Sequence, residues 1–145
     1  MRVKYSYTHS RILSSYTQAR ILIKYTNSCK LFLCAVTIQE IQKGAMKLRL
    51  DSDNKSKKAT ALSHWLDSLI EQFSDRILPV DAAVGRLAGV IEASDTAKGR
   101  NPGFADVLIA ATAKANDLIL LTVNLKRFEP LDIDAFNPFD NSCGE

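Results

Sequence analysis

GRNPGFADVLIAATAKANDLILLTVN, residues 99 to 124, decides the architecture. It opens on turn formers, Gly99, Asn101, Pro102 and Gly103, which punctuate rather than continue a helix. FADVLIAATAKAN, from Phe104, is so apolar that a helix there must be buried on most sides. DLILLTV (117–123) is a continuous apolar run of strand length, as expected for a strand covered on both faces. LFLCAV (31–36) has the same character. Buried strands alternating with helices argue a parallel sheet wrapped by helices.

The remaining segments fit that frame. TIQEIQKGAMKLRL (37–50) carries Ile38, Ile41, Ala45 and Leu48 at helical spacing. Thr37 and Glu40 form the T-x-x-E pattern of a capping box at its start. DSDNKSKK (51–58) has almost no apolar residue and reads as an exposed connection. ATALSHWLDSLIEQF (59–73) has a broad apolar stripe: Leu62, Trp65, Leu66, Leu69, Ile70 and Phe73. That assigns Trp65 to the core or an interface, and His64 to the surface. RILPV (76–80) is a short strand, Asp81 caps the helix AAVGRLAGVIEASDTA (82–97), and DIDAFNPF (132–139) supplies a short edge strand.

With 145 residues the chain suits one domain, residues 1–145, with one sizeable core. Its hydrophobic fraction of 46% and charged fraction of 24% exclude a disordered chain. No apolar run reaches bilayer length, and the basic first thirty residues lack the apolar stretch of a secretory signal. A cytoplasmic protein with no membrane association is expected. Cys29, Cys34 and Cys143 have no metal-ligand spacing, which suits free thiols in a reducing compartment. The net charge of +3 is unevenly spread. Residues 1–30, an atypical N-terminal segment, hold Arg2, Lys4, Arg11, Arg20, Lys24 and Lys30 and no acid. The rest carries 13 basic and 16 acidic groups. Such a basic arm suits phosphate backbones or a plain solvated face.

In parallel sheets ligands gather beyond the carboxyl ends of the strands. Thr37 and Glu40 follow the first apolar run, and Thr122 and Asn124 close the second. Asp106 stands in the first turn of the buried helix, among Phe104, Ala105, Val107, Leu108 and Ile109. Individually, each has a structural reading: cap, dipole partner, turn residue. Carboxylates gathered on one rim repel each other, and that favours a cation between them.

VTIQEIQKG, then GRNPGFADVLIAATAKANDLILLTVN, then FNPF resemble the PIN-domain family, and within it the VapC-type toxins of bacterial toxin–antitoxin pairs. The resemblance covers roughly residues 30 to 139. It implies a three-layer α/β/α sandwich with a central parallel sheet and an acidic pocket that holds Mg²⁺ or Mn²⁺ and cleaves RNA. It also implies a cognate antitoxin across that pocket and a homodimer. On this resemblance Glu40 and Asp106 are catalytic acids and metal ligands, Asn124 completes the site, and Thr122 supports it. Lys98 and Arg100, just before the AD block, become candidate contacts to RNA phosphate or to an antitoxin. Hard cations choose carboxylate oxygens and bridge to substrate phosphate, so the donor types agree with the chemistry.

One position departs from the family. Its first strand ends in Asp-Thr-Asn or Asp-Thr-His, but no Asp or Glu precedes Glu40 here. Tyr7-Thr8-His9 and Tyr25-Thr26-Asn27 echo the motif, each with Tyr in place of the acid. Tyr7 lies 33 residues before Glu40, near the family's gap, whereas Tyr25 lies only 15 before it. The first alignment makes VKYSYTH the first strand, ILSSY (12–16) the first helix and ARILIKY (19–25) its continuation or a second helix. A phenol stays neutral near pH 7, with a reference pKa of about 10, and is bulkier than a carboxylate. The alternative function is therefore a catalytically impaired PIN-fold protein that only binds antitoxin or RNA. A receiver-like sheet would need an acidic pair after the first strand and a late strand-end lysine, and neither is in place. Substituting Tyr7→Asp is expected to raise cation affinity and RNA cleavage, checked in parallel cleavage assays with Mg²⁺ or Mn²⁺. An unchanged rate would remove Tyr7 from the first-acid position.

Overall fold

The computed structural model describes residues 21–24, 30–51 and 56–137. The strands are β1 (Ile21–Lys24), β2 (Lys30–Cys34), β3 (Ile77–Leu78), β4 (Ile119–Leu121) and β5 (Ala135–Phe136). The helices are α1 (Ala35–Leu50), α2 (Ser56–Phe73), α3 (Ala82–Ala97) and α4 (Phe104–Ala115). Short 3-10 turns occupy Ser74–Arg76, Leu125–Arg127 and Glu129–Leu131.

The sheet order is β3-β2-β1-β4-β5. β2 pairs parallel with β3, and β4 pairs parallel with β5. β1 is antiparallel to both neighbours, with Ile21 opposite Leu33 on one side and Leu121 on the other. Four strands thus share one direction, in keeping with the expected parallel-stranded α/β fold, and the central one is reversed. The cause is chain length. Only residues 25–29 separate β1 from β2, whereas a parallel pair needs a crossover of a dozen or more residues.

The same strand does correct the expectation of a helix over 19–25, since Ile21–Lys24 is not helical. Two isoleucines in four residues suit an extended conformation, where β-branched side chains pack well. Tyr7 and the rest of 1–20 lie outside the described residues, as do Tyr25, Thr26 and Asn27.

Alternation along the strands builds two cores. Leu31 and Leu33 of β2 and Leu121 of β4 pack with Leu69 and Phe73 of α2, with Ile38, Ile41 and Trp65 beside them. Cys34, Phe32 and Leu120 face the other way, toward Val84, Ala88 and Ile91 of α3 and Val107, Ile109 and Ala110 of α4. Successive residues of a strand point to opposite faces, so each face acquires its own helical layer. This is the expected α/β/α sandwich. His64 is exposed and Trp65 lies in the packed layer, as the apolar stripe requires. No described helix is long and apolar enough to cross a membrane.

Helix ends follow local chemistry, with one exception. Asp81 Oδ1 accepts the Val84 N–H at 2.9 Å, the expected cap of α3. At the other end of α3, Gly99 takes φ 75°, a left-handed conformation that glycine adopts without steric cost. The Arg100 N–H donates to Asp95 O at 3.0 Å and the Gly99 N–H to Thr96 O at 2.9 Å, closing a Schellman turn. The exception is α1. The expected strand over 31–36 stops at Cys34, which is the helix N-cap without a side-chain cap bond. Thr37 and Glu40 consequently lie inside the helix, and the capping box does not form.

Phe128, fully buried beside the turn after β4, anchors that corner of the core. Phe128→Ala should cost about 3–5 kcal/mol in urea denaturation. Leu50→Ala, at a position 79% exposed, should stay within about 0.5 kcal/mol of the unaltered protein.

Candidate active site

The four like-directed strands end at one rim, and α4 returns its amino end to it. The helix closes on a second Schellman turn, with Leu118 N–H to Ala113 O at 2.9 Å and Asp117 N–H to Lys114 O at 3.3 Å. Here Asp117, at φ 54°, takes the position more often held by glycine. The chain then enters β4 in the opposite direction. α4 is packed from Asp106 to Ala113 with only Leu108 partly exposed, so its first turn is fixed relative to the sheet.

Asp106 is the third residue of that helix and 3% exposed. The unsatisfied N–H groups of a helix start favour a carboxylate there. Its Oδ2 accepts Arg127 Nη2 at 2.6 Å. Arg127 comes from the 3-10 turn immediately after β4, and Thr122 and Asn124 build that turn. The Asn124 N–H donates to Thr122 Oγ1 at 3.1 Å, and the Arg127 N–H donates to Asn124 O at 3.3 Å. Thr122 is buried, while Asn124 is exposed. Asp106, Thr122 and Asn124 are thus joined through one corner, with Arg127 as the link.

Glu40 stands in the second turn of α1 and is engaged locally. Its Oε1 accepts Lys43 Nζ at 2.5 Å, and both side chains remain partly exposed. α1 is tied to α4 by a buried contact of 3.4 Å in which Cys34 Sγ donates to Thr112 Oγ1. Arg100 has a structural task. Its Nε and Nη2 donate to Asp95 Oδ1 at 3.0 and 2.6 Å, and Nη2 also reaches Pro130 O at 3.3 Å. Lys98, the C-cap of α3, is exposed.

Three participants escaped the sequence reading. Arg127 is one of many surface cations and lies 21 residues from Asp106, beyond any local pattern. Asp95 sits in the last turn of a helix, where its burial depends on Arg100 folding back. Gly103 resembles a turn residue, but its contribution is space. A Cβ there would stand 3.2 Å from Asp106 Oδ2 and 3.5 Å from Arg127 Nη2. A larger residue there would press on the carboxylate oxygen.

Among the described residues no three His, Cys, Asp or Glu side chains cluster as a metal site. Mg²⁺, however, is commonly held by one or two carboxylates, its remaining positions filled by water and substrate phosphate. The hard-oxygen donor Asp106 fits an ion held in that way, and Glu40 and Asn124 offer further oxygens of the right type.

Asp106 thus lies on the carboxyl rim of an α/β sandwich, the side of such sheets where ligands commonly gather. A family model described as PIN domain matches residues 12–132, and the chain belongs to this family. It is 31% identical over 109 residues to "Toxin FitB" of Neisseria gonorrhoeae, covering 75% of this chain and 76% of that one. It is 32% identical over 105 residues to "tRNA(fMet)-specific endonuclease VapC" of Shigella flexneri, covering 71% and 70%. The crystal structure of FitAcB from Neisseria gonorrhoeae superposes with a TM-score of 0.63 at 32% identity, over 75% of this chain and 76% of that one.

Arg100→Ala strips the buried Asp95 of its guanidinium. Arg100 is itself 41% exposed, so the loss should fall between surface and buried pairs, about 2 kcal/mol. Chemical denaturation checks this value, and an unchanged stability would deny the pair its role in fixing the α3–α4 loop.

Proposed function

We propose that this chain is the toxin of a toxin–antitoxin pair, an endoribonuclease that hydrolyses RNA phosphodiester bonds with Mg²⁺ or Mn²⁺. The observation that carries the reading is Asp106: a buried carboxylate in the first turn of α4, on the rim where β4 ends, with the backbone of Gly103 close against it. Relatives named as a toxin and as a tRNA-specific endonuclease support the reading.

Asp106 and Glu40 would hold the ion, and Asn124 would complete the site with its amide oxygen. Bound there, the ion supplies Lewis-acid charge to the scissile phosphate. The protein's own contribution is positional. Burial of α4 keeps Asp106 from moving with its ligand, and the Thr122 hydroxyl fixes the backbone of Asn124. Exposed Lys98 adds positive charge near the approach of a polyanion, while Arg100 holds the loop that precedes Asp106. A toxin of this kind needs a cognate antitoxin to restrain it, acts in the cytoplasm, and is expected to form a homodimer.

A second reading is favoured by a specific observation. Asp106 and Glu40 are each matched by a cation, and no acid precedes Glu40 in the sequence. On that reading the chain binds antitoxin or RNA but cleaves poorly.

Cleavage of a mixed RNA substrate by the purified full chain discriminates the two. The nuclease reading expects cleavage that EDTA removes and that Asp106→Asn lowers at least about 100-fold, with folding checked by circular dichroism. Cleavage undiminished by Asp106→Asn would sink it. RNA binding without cleavage, equal in the two proteins, would establish the impaired form.

A further inference from the structure

We propose that Arg127 is a displaceable latch on the metal carboxylate: it occupies Asp106 in the resting protein, and a divalent ion binds only by turning it out. The inference rests on the reading of Asp106 as a metal-holding group and adds a residue that reading does not contain.

Arg127 Nη2 lies 2.6 Å from Asp106 Oδ2, at hydrogen-bonding distance for a charge-assisted pair. An oxygen so engaged has its outward lone pair occupied by the guanidinium. The two partners differ greatly in freedom. Asp106 is 4% exposed in its side chain and fixed in a packed helix, whereas the Arg127 side chain is 50% exposed. Its backbone is held, since Phe128, next in sequence, is fully buried and donates its N–H to Leu125 O at 2.9 Å. A long flexible arm on a fixed base can leave the carboxylate by rotating its side-chain bonds, with no change in fold. Gly103 spares the carboxylate a close neighbour, because a Cβ there would stand a tight 3.2 Å from Asp106 Oδ2 and in ordinary contact, 3.5 Å, with Arg127 Nη2.

The exchange is chemically even-handed. Either occupant neutralises Asp106, so the protein never carries a bare buried carboxylate, which would be costly. Ion affinity is consequently reduced by the work of removing the arginine, and RNA phosphate arriving with the ion offers the freed guanidinium a new partner. The latch would thus make ion binding depend on substrate.

Mn²⁺ binding to the full chain, measured by the paramagnetic resonance of free Mn²⁺ in the absence of RNA, tests this. Arg127→Gln should bind Mn²⁺ roughly tenfold more tightly than the unaltered protein, as removal of an adjacent opposite charge from a carboxylate implies. Lys126→Gln removes an equal charge from the exposed neighbour and should change affinity less than about twofold. The gain should vanish in Asp106→Asn/Arg127→Gln. Equal gains from Lys126→Gln and Arg127→Gln would overturn the latch in favour of a general charge effect. No gain from Arg127→Gln, with Asp106→Asn still weakening binding, would overturn the latch and leave the metal site standing. Binding indifferent to Asp106→Asn in both backgrounds would overturn the metal reading as well. The unaltered protein provides a check that needs no variant to fold. The guanidinium nuclear magnetic resonance signals of Arg127, restrained by the ion pair, should become those of a free arginine as Mg²⁺ saturates. Signals unchanged at saturation would refute displacement.

Discussion

Burial of α4 is the constraint on which the site depends. Ala110, Ala111 and Ala113 are fully enclosed, and such small side chains let the helix axis approach the sheet closely. The Thr112 hydroxyl donates to Leu108 O within the helix at 2.7 Å and accepts from Cys34 Sγ, so even its buried polar atom is used. A helix packed in this way cannot slide or turn without opening the core. Its first turn is then as rigid as the sheet, and Asp106 inherits that rigidity.

Charge at the rim is balanced from within the chain. Arg127 answers Asp106, Lys43 answers Glu40, and Arg100 answers Asp95. The three pairs have different consequences because their burial differs. The Glu40 pair is partly exposed on both sides and contributes little to stability. The Asp95 pair ties a loop to the end of α3 and is structural. The Asp106 pair joins a buried acid to a half-exposed cation beside the backbone of Gly103.

Much of this architecture is legible in residue patterns. α4 announces itself by its apolar density, and Asp106 by being out of place within it. Asp81 is a cap in the sequence and in the structure. Legibility fails where a pattern is short or non-local. Four residues, Ile21–Lys24, are too few for a helical period to be told from a strand, and flanking polar residues hide that they fill the sheet centre. Thr37 and Glu40 have capping-box spacing, but α1 begins two residues before Thr37, so the pattern falls inside the helix. Arg127 and Gly103 matter only through a contact spanning two elements, which no window along the chain contains.

The reversed strand β1 has a consequence for how the chain folds as it is made. Its pairing with β2 joins near neighbours, with Lys24 opposite Lys30, and can form as a local hairpin early in synthesis. Its other edge pairs with β4, with Ile21 opposite Leu121, and must wait until nearly the whole domain has emerged. During that interval a strand with an unsatisfied row of backbone donors and acceptors lies open, the sort of edge that recruits other chains. The strand at the centre of the finished sheet is therefore an edge for most of the time that the domain is being made.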